Sequence, residues 1–218
     1  LWWWSGQEGS LRGTLQWWSP AGLSAEGVSG SLRRGGGAER LRWQQAGSGW
    51  DIEAEQVQLN WDLTQLLEQW AQAHQQAQPL LQLRLLSAHR LQIRPPAHAS
   101  SSKPPESMAL PVAMSVGRIR IGELRWQGGS PLTVHEIDAH YQYLARQHDL
   151  QLHQLRLAQG SYAGLLSMQD QGALQVQAQV QGRWQAKLTN GRTMDLDLQA
   201  RASGPLQRIE LQASLASS

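Results

Sequence analysis

The chain of 218 residues has no cysteine and no phenylalanine. Without thiols it has no disulfide framework and no thiolate metal site, a composition compatible with a bacterial envelope protein. Charge is scarce as well: 17% of residues are charged, the formal net charge is +2 and the pI is about 9.4. So small an excess, with no clustered basic face, excludes a phosphate-backbone binder, and no nucleic-acid partner is expected. No run approaches the roughly 20 apolar residues that span a bilayer. The glycine run Gly35-Gly36-Gly37 lacks a strand–helix context and a following Lys-Ser/Thr, which excludes a phosphate cradle and reads instead as a turn.

Catalytic groupings are missing too. His135-Glu136-Ile137-Asp138-Ala139-His140 has the wrong spacing for a zinc helix, and strand alternation puts its two histidines on opposite faces. His148 and His153 fail the same test, so no metal site is expected. Asp195 and Asp197 share the polar side of Met194 to Leu198 and read as solubilising charge rather than an acid–base pair. No serine sits in a nucleophile elbow. The chain reads as non-enzymatic and without a cofactor.

What is present is a paired apolar pattern. Ile52-Ala54 then Val57-Leu59, Ile119-Ile121 then Leu124-Trp126, and Leu150-Leu152 then Leu155-Leu157 each show period two, then a step that changes parity. A bulge or corner at Glu55-Gln56, Gly122-Glu123 and His153-Gln154 would return the second half to the first half's face. The opposite face is built from glutamine, as in Leu174 to Gly182. The fold class expected is mainly β: an elongated curved sheet with an apolar inner groove and one short helix capping or plugging an end. The groove is assigned to Ile119, Ile121, Leu150, Leu152, Leu174, Val176, Ala178, Val180, Leu196, Leu198, Ile209 and Leu211. Ala178, Ala200 and Ala213 alternate with larger residues on it and leave room for a ligand, although a tightly packed core would alternate in the same way.

Eleven tryptophans replace the missing phenylalanines. Trp2, Trp3 and Trp4 read as membrane-proximal, the tail (residues 1–4) of an upstream anchor, because tryptophan favours the bilayer interface. Residues 5–94 form an N-terminal β unit. Within it Asp62 to Gln78 reads as a helix with Leu63, Leu66, Leu67 and Trp70 on one face and Pro79 as its stop. Residues 95–111 are a Pro/Ser-rich loop or linker, and 112–218 continue the β repeats, with Asn190-Gly191 as the clearest hairpin. The last strand ends without a stop signal, so a truncated C-terminus is expected.

Three motifs in this order carry a family resemblance: Val28-Ser29-Gly30-Ser31-Leu32, Trp61-Asp62-Leu63-Thr64 leading to Leu66-Leu67, and Ile119-Arg120-Ile121-Gly122-Glu123-Leu124-Arg125-Trp126 after a Pro-rich loop. Over residues 5 to 218 the chain resembles the N-terminal part of the TamB family, the inner-membrane subunit of the translocation and assembly module, within the AsmA-like lipid carriers. The glycine-rich stretch Arg33 to Gly37 and the length of Asp62 to Gln78 depart from the family pattern. The resemblance implies a β-taco whose hydrophobic groove carries phospholipid, anchored in the inner membrane by an N-terminal segment and extending through the periplasm. It also implies a role in outer-membrane protein assembly with a barrel subunit of the same module as partner. Two other functions fit the pattern: a scaffold whose sheet edges receive client strands, and a structural β-solenoid stalk.

Overall fold

The computed structural model describes residues 6–17, 21–44, 49–61, 80–96, 107–110, 112–158, 160–187 and 193–217. Its architecture is one sheet of twelve strands with one short helix among the described residues. The strands are β1 (Leu23–Glu26), β2 (Ser29–Ser31), β3 (Gly35–Gln44), β4 (Asp51–Trp61), β5 (Leu80–Arg94), β6 (Ala113–Trp126) and β7 (Leu132–Leu144). They continue as β8 (Gln147–Leu157), β9 (Gly160–Gln169), β10 (Gln175–Lys187), β11 (Thr193–Pro205) and β12 (Glu210–Ser217). From β3 onward each strand neighbours the next in sequence; β1 and β2 both pair with β3. Among the described residues no pairing joins β1 to β12. All pairs are antiparallel except β5–β6. There Leu80 faces Ala113 and Ile93 faces Trp126.

The helix α1 (Ser10–Trp17) lies at the N-terminal edge, where sequence periodicity announced none. It is tied there by Gly9 N donating to Gly30 O at 3.0 Å and by Leu32 N donating to Ser10 Oγ at 3.1 Å. The expected helix Asp62 to Gln78 lies outside the described residues, as do Leu1 to Trp4, Asn190 and Gly191. One expectation is corrected. The turn is Leu32 to Arg34, and Gly35-Gly36-Gly37 opens β3 instead. The reason is close approach: a Cβ on Gly36 would stand 2.1 Å from Ser29 O and 2.8 Å from Leu11 Cδ2.

The register builds one apolar face. Residues directly opposite share a face, which aligns Trp43, Ile52, Ile93 and Trp126 in one row and Leu150, Leu166, Ala178 and Ala202 in another. The same face carries the most buried aliphatic residues, among them Val57, Val116, Ala139 and Val176. The ion pairs of β1 to β8 and the glutamines of β10 take the other face.

What keeps both halves of each long strand in phase is a crease across the sheet. Gln56 has φ 50°, Gly27 φ 63° and Glu136 φ 53°. The ladder is interrupted at each of them, and between them at His89 and Gly122. The register sets Glu39 beside Gln56, Gln56 beside His89, His89 beside Gly122 and Gly122 beside Glu136. The line continues into β8, where the register shifts between Leu152 and Leu155 and marks a bulge at His153–Gln154. A residue in the left-handed region reverses the pleat, so Ala54 and Val57, three apart, both face the apolar side. Gln56→Val is expected to cost about 1–2 kcal/mol in a urea titration, since a β-branched side chain crowds its own backbone there. Gln56→Gly should cost nothing or stabilise.

Candidate functional site

The candidate site is the apolar face itself. Ile119, Ala139, Leu152, Gly164, Val180 and Ala200 form one row across β6 to β11. The next rows bring Leu150 to Ala178 and Leu211, and Leu198 to Gly182. Ile121 pairs with Ile137, and Leu196 with Trp184. Val176 sits between Met168 and Gly204. Leu174 precedes β10 with φ 45° and is 2% exposed, while Ile209 precedes β12 and is 44% exposed. Exposure varies widely within this set: Val176 is 6% and Leu196 8% exposed, Val180 36% and Leu211 70%. Gln175, Gln177, Gln179 and Gln181 are all exposed.

Small residues cluster at Gly164, Ala200, Ala213 and Gly182. Gly182 is covered, because a Cβ there would stand 2.1 Å from Tyr162 Cδ1. Two furrows of about 450 Å³, one over β8 to β11 and one over β7 to β10, have rows such as Gln151, Leu165 and Gln179 as walls, and so belong to the glutamine face.

The polar face of β1 to β8 is held by a row of ionisable residues beside the crease, alternating in sign from Glu26 to Glu123. Glu26, Arg40, Glu55, Arg90, Glu123, His135 and Arg156 follow one another in register. Arg90 reaches Glu123 at 2.8 Å and Glu55 at 2.9 Å. Asp51 accepts from Arg42 Nε and Nη2 at 2.9 and 2.8 Å and from Arg94 at 3.0 Å. The Arg42 hydrogen bond, aided by Arg94 against the opposing effect of burial, brings the Asp51 carboxyl down from 3.8 to about 2. Glu123 is lowered chiefly by Arg90, and Asp138 chiefly by Arg118. A carboxyl whose folded value is depressed stabilises above its unfolded pKa and stops doing so as pH falls through the folded one. Asp51→Asn should thus lower the melting temperature at neutral pH. The gap to the parent should close between about pH 4 and about pH 2 in thermal scans.

His135 and His140 do not lie on opposite faces, as strict alternation predicted. The left-handed Glu136 between them returns both to the polar side, where His135 pairs with Glu123 and Arg156 in the ladder and His140 with Gln151. Among the described residues no group of histidine and carboxylate side chains could hold a metal ion. Asp197 meets Arg183 at 3.2 Å.

One polar cluster on the apolar side escaped sequence reasoning. Tyr141, Tyr143 and His148 share that face, because His148 lies opposite both Tyr143 and Met168. Tyr141 Oη and His148 Nδ1 are 2.7 Å apart, and the His148 ring lies 4.6 Å from Tyr143. Tyr143 Oη donates to Asp170 Oδ2 at 2.5 Å, and Asp170 is 1% exposed. The Asp170 bond, with burial second, raises the Tyr143 pKa, while burial raises that of Tyr141. The signal was available: Tyr141, Tyr143 and His148 are in phase with Leu150 and Leu152 once the turn at Ala145-Arg146 is placed.

Among the described residues no helix is long and apolar enough to cross a membrane. Comparison with protein-family models, curated proteins and solved structures returned no match to this chain.

Proposed function

We propose that the chain is the periplasmic part of an inner-membrane-anchored envelope protein that carries phospholipid along an apolar groove toward the outer membrane. The observation that carries this reading is the segregation of the sheet's faces. Apolar residues stay in register across strand after strand, while the ion pairs lie on the opposite side. Apolar side chains at Val180, Trp184, Ile209, Leu211 and Leu215 are 36–70% exposed, more than packing alone requires. Acyl chains would lie along this face and headgroups would meet water at the open seam. The motif resemblance to the TamB family adds the compartment: an upstream anchor with Trp2, Trp3 and Trp4 at the bilayer, the bulk in the periplasm, and an outer-membrane barrel subunit as partner in protein assembly. The role is transport and not catalysis.

Photo-crosslinkers test the reading. Placed at Val180 and Val176 in membranes, they should capture phospholipid, with Val180 the stronger because it is the more exposed. At Gln177 and Gln179 they should capture none. Equal labelling at all four positions, or none at any, sinks the conduit.

A scaffold for client strands is the second reading, and β12 favours it. All eight residues of β12, the last described strand of the sheet, are exposed, and it contains no proline or lysine to deter pairing. Capture of strand-forming peptides with no co-purifying lipid would favour it.

A further inference from the structure

We propose that Ser107–Leu110 is a strap that latches across one end of the apolar face and gates access to it. The segment lies at the end of the β5–β6 connection. It crosses the apolar side, because His148, which stands on that face, places its Nε2 3.1 Å from Met108 O. Met108 N donates to Asp170 O at 3.0 Å, and Ser107 Oγ donates to the same oxygen at 3.1 Å. Ser107 and Gln171 form an isolated antiparallel bridge. Asp170 N in turn donates to Arg146 O at 3.0 Å, so the strap is fastened where two hairpin turns meet.

Two properties distinguish a latch from ordinary packing. First, the strap is held more by hydrogen bonds than by burial: Ser107, Met108 and Ala109 are exposed, Met108 at 41%, and Leu110 alone is half-buried. A few net hydrogen bonds are worth far less than the sheet, so the strap opens locally while the strands stay paired. Second, the groups beneath it are polar groups set into an apolar face. Met108 O can only accept, so its contact calls for Nε2–H on His148, and in the neutral ring Nδ1 is then the acceptor for the Tyr141 hydroxyl. That relay serves the strap; the neighbouring positions Leu150, Met168 and Val176 are aliphatic or thioether. Released, the strap bares the end of the rows that run from Tyr143 through Met168 to Val176.

The absence of cysteine makes the test clean. In the S107C/Q171C variant the bridged positions are close enough for a disulfide, because paired strands hold their Cα atoms about 4.5–5.5 Å apart. Uptake is followed with an apolar dye, diphenylhexatriene, and with fluorescent phosphatidylethanolamine in phosphatidylethanolamine/phosphatidylglycerol vesicles. The oxidised variant should take up both roughly tenfold more slowly than the reduced one. Equal rates in the two states, or no uptake of either probe by the reduced protein, overturn the gate. The lipid arm rests on the conduit reading and the dye arm does not. If the dye is gated but phospholipid never enters, the conduit falls and the strap stands. Hydrogen exchange supplies an independent arm. The Met108 amide should exchange well before those of Tyr143 and Gln177, and His148→Phe, which keeps the ring but loses the bond, should speed it about fivefold. Exchange of Met108 at the sheet's own rate overturns the proposal.

Discussion

Val176→Asp should destabilise the protein by about 3 kcal/mol or more in equilibrium urea unfolding, whereas Gln177→Asp, one residue away, should stay within about 0.5 kcal/mol. Val176 is 6% exposed, with Met168 on one side and Gly204 on the other, so a carboxylate there has neither water nor a cation. Gln177 is exposed on the opposite face between Ser167 and Ser203. Val180→Asp lies on the apolar face but is already 36% exposed, and should fall between the two. The order Val176, Val180, Gln177 is what the gradient of burial along β10 demands. Equal losses at Val176 and Gln177 would mean that β10 is packed on both faces and that the sheet has no free apolar side. A lipid-transfer assay tests the proposed conduit: Val180→Asp, the milder change to the fold, should still depress transfer, because it would put charge where that proposal lays acyl chains.

Much of the fold is legible in the sequence because period two is a strong signal where one face is apolar and the other is built from one residue type. Alternation alone assigns the run Leu174 to Gly182 face by face. The parity steps at Gln56 and His153–Gln154 are legible for the same reason, because no flat strand satisfies both halves of the pattern. The structural cause is less legible. Gln56 and Glu136 adopt left-handed backbone without being glycine, and side-chain identity does not announce that. The crease at Glu136 is why alternation misassigns His135 and His140. The parallel β5–β6 pair is illegible for a different reason: strand partners are decided by long-range register, and local sequence favours the antiparallel neighbour. The short helix Ser10–Trp17, with Gly13 inside it and Leu11 and Leu15 as its one aliphatic pair, is too brief for periodicity to expose. In the candidate site the aliphatic positions are readable. The Tyr141–His148 pair is readable once the β7–β8 turn is placed, but the Tyr143–Asp170 pair is not, because Asp170 comes from a separate turn and meets Tyr143 only in the folded sheet.

Asp170→Ala is expected to lower stability by roughly 1–3 kcal/mol, a large effect for one side chain in a hairpin turn. Asp170 is 1% exposed, and its Oδ2 accepts the Tyr143 hydroxyl at 2.5 Å, while Arg146 approaches Oδ1 at 3.8 Å. Removing the carboxylate leaves the hydroxyl of Tyr143, itself 5% exposed, without its acceptor. The main-chain bonds of residue 170 to Arg146 and Met108 need no side chain and should survive, so the loss reports on the side-chain pair alone. Tyr143→Phe should cost a similar amount, because it takes the hydroxyl donor from a carboxyl that is 1% exposed, with Arg146 at 3.8 Å as the remaining ion-pair partner. The double variant Tyr143→Phe/Asp170→Ala should then lose clearly less than the sum of the two, since each single change removes the same bond. Strict additivity in a urea double-mutant cycle would show that the two groups do not interact in solution. It would also leave the apolar face with an unexplained carboxylate buried at its end, at the point where three stretches of chain are joined.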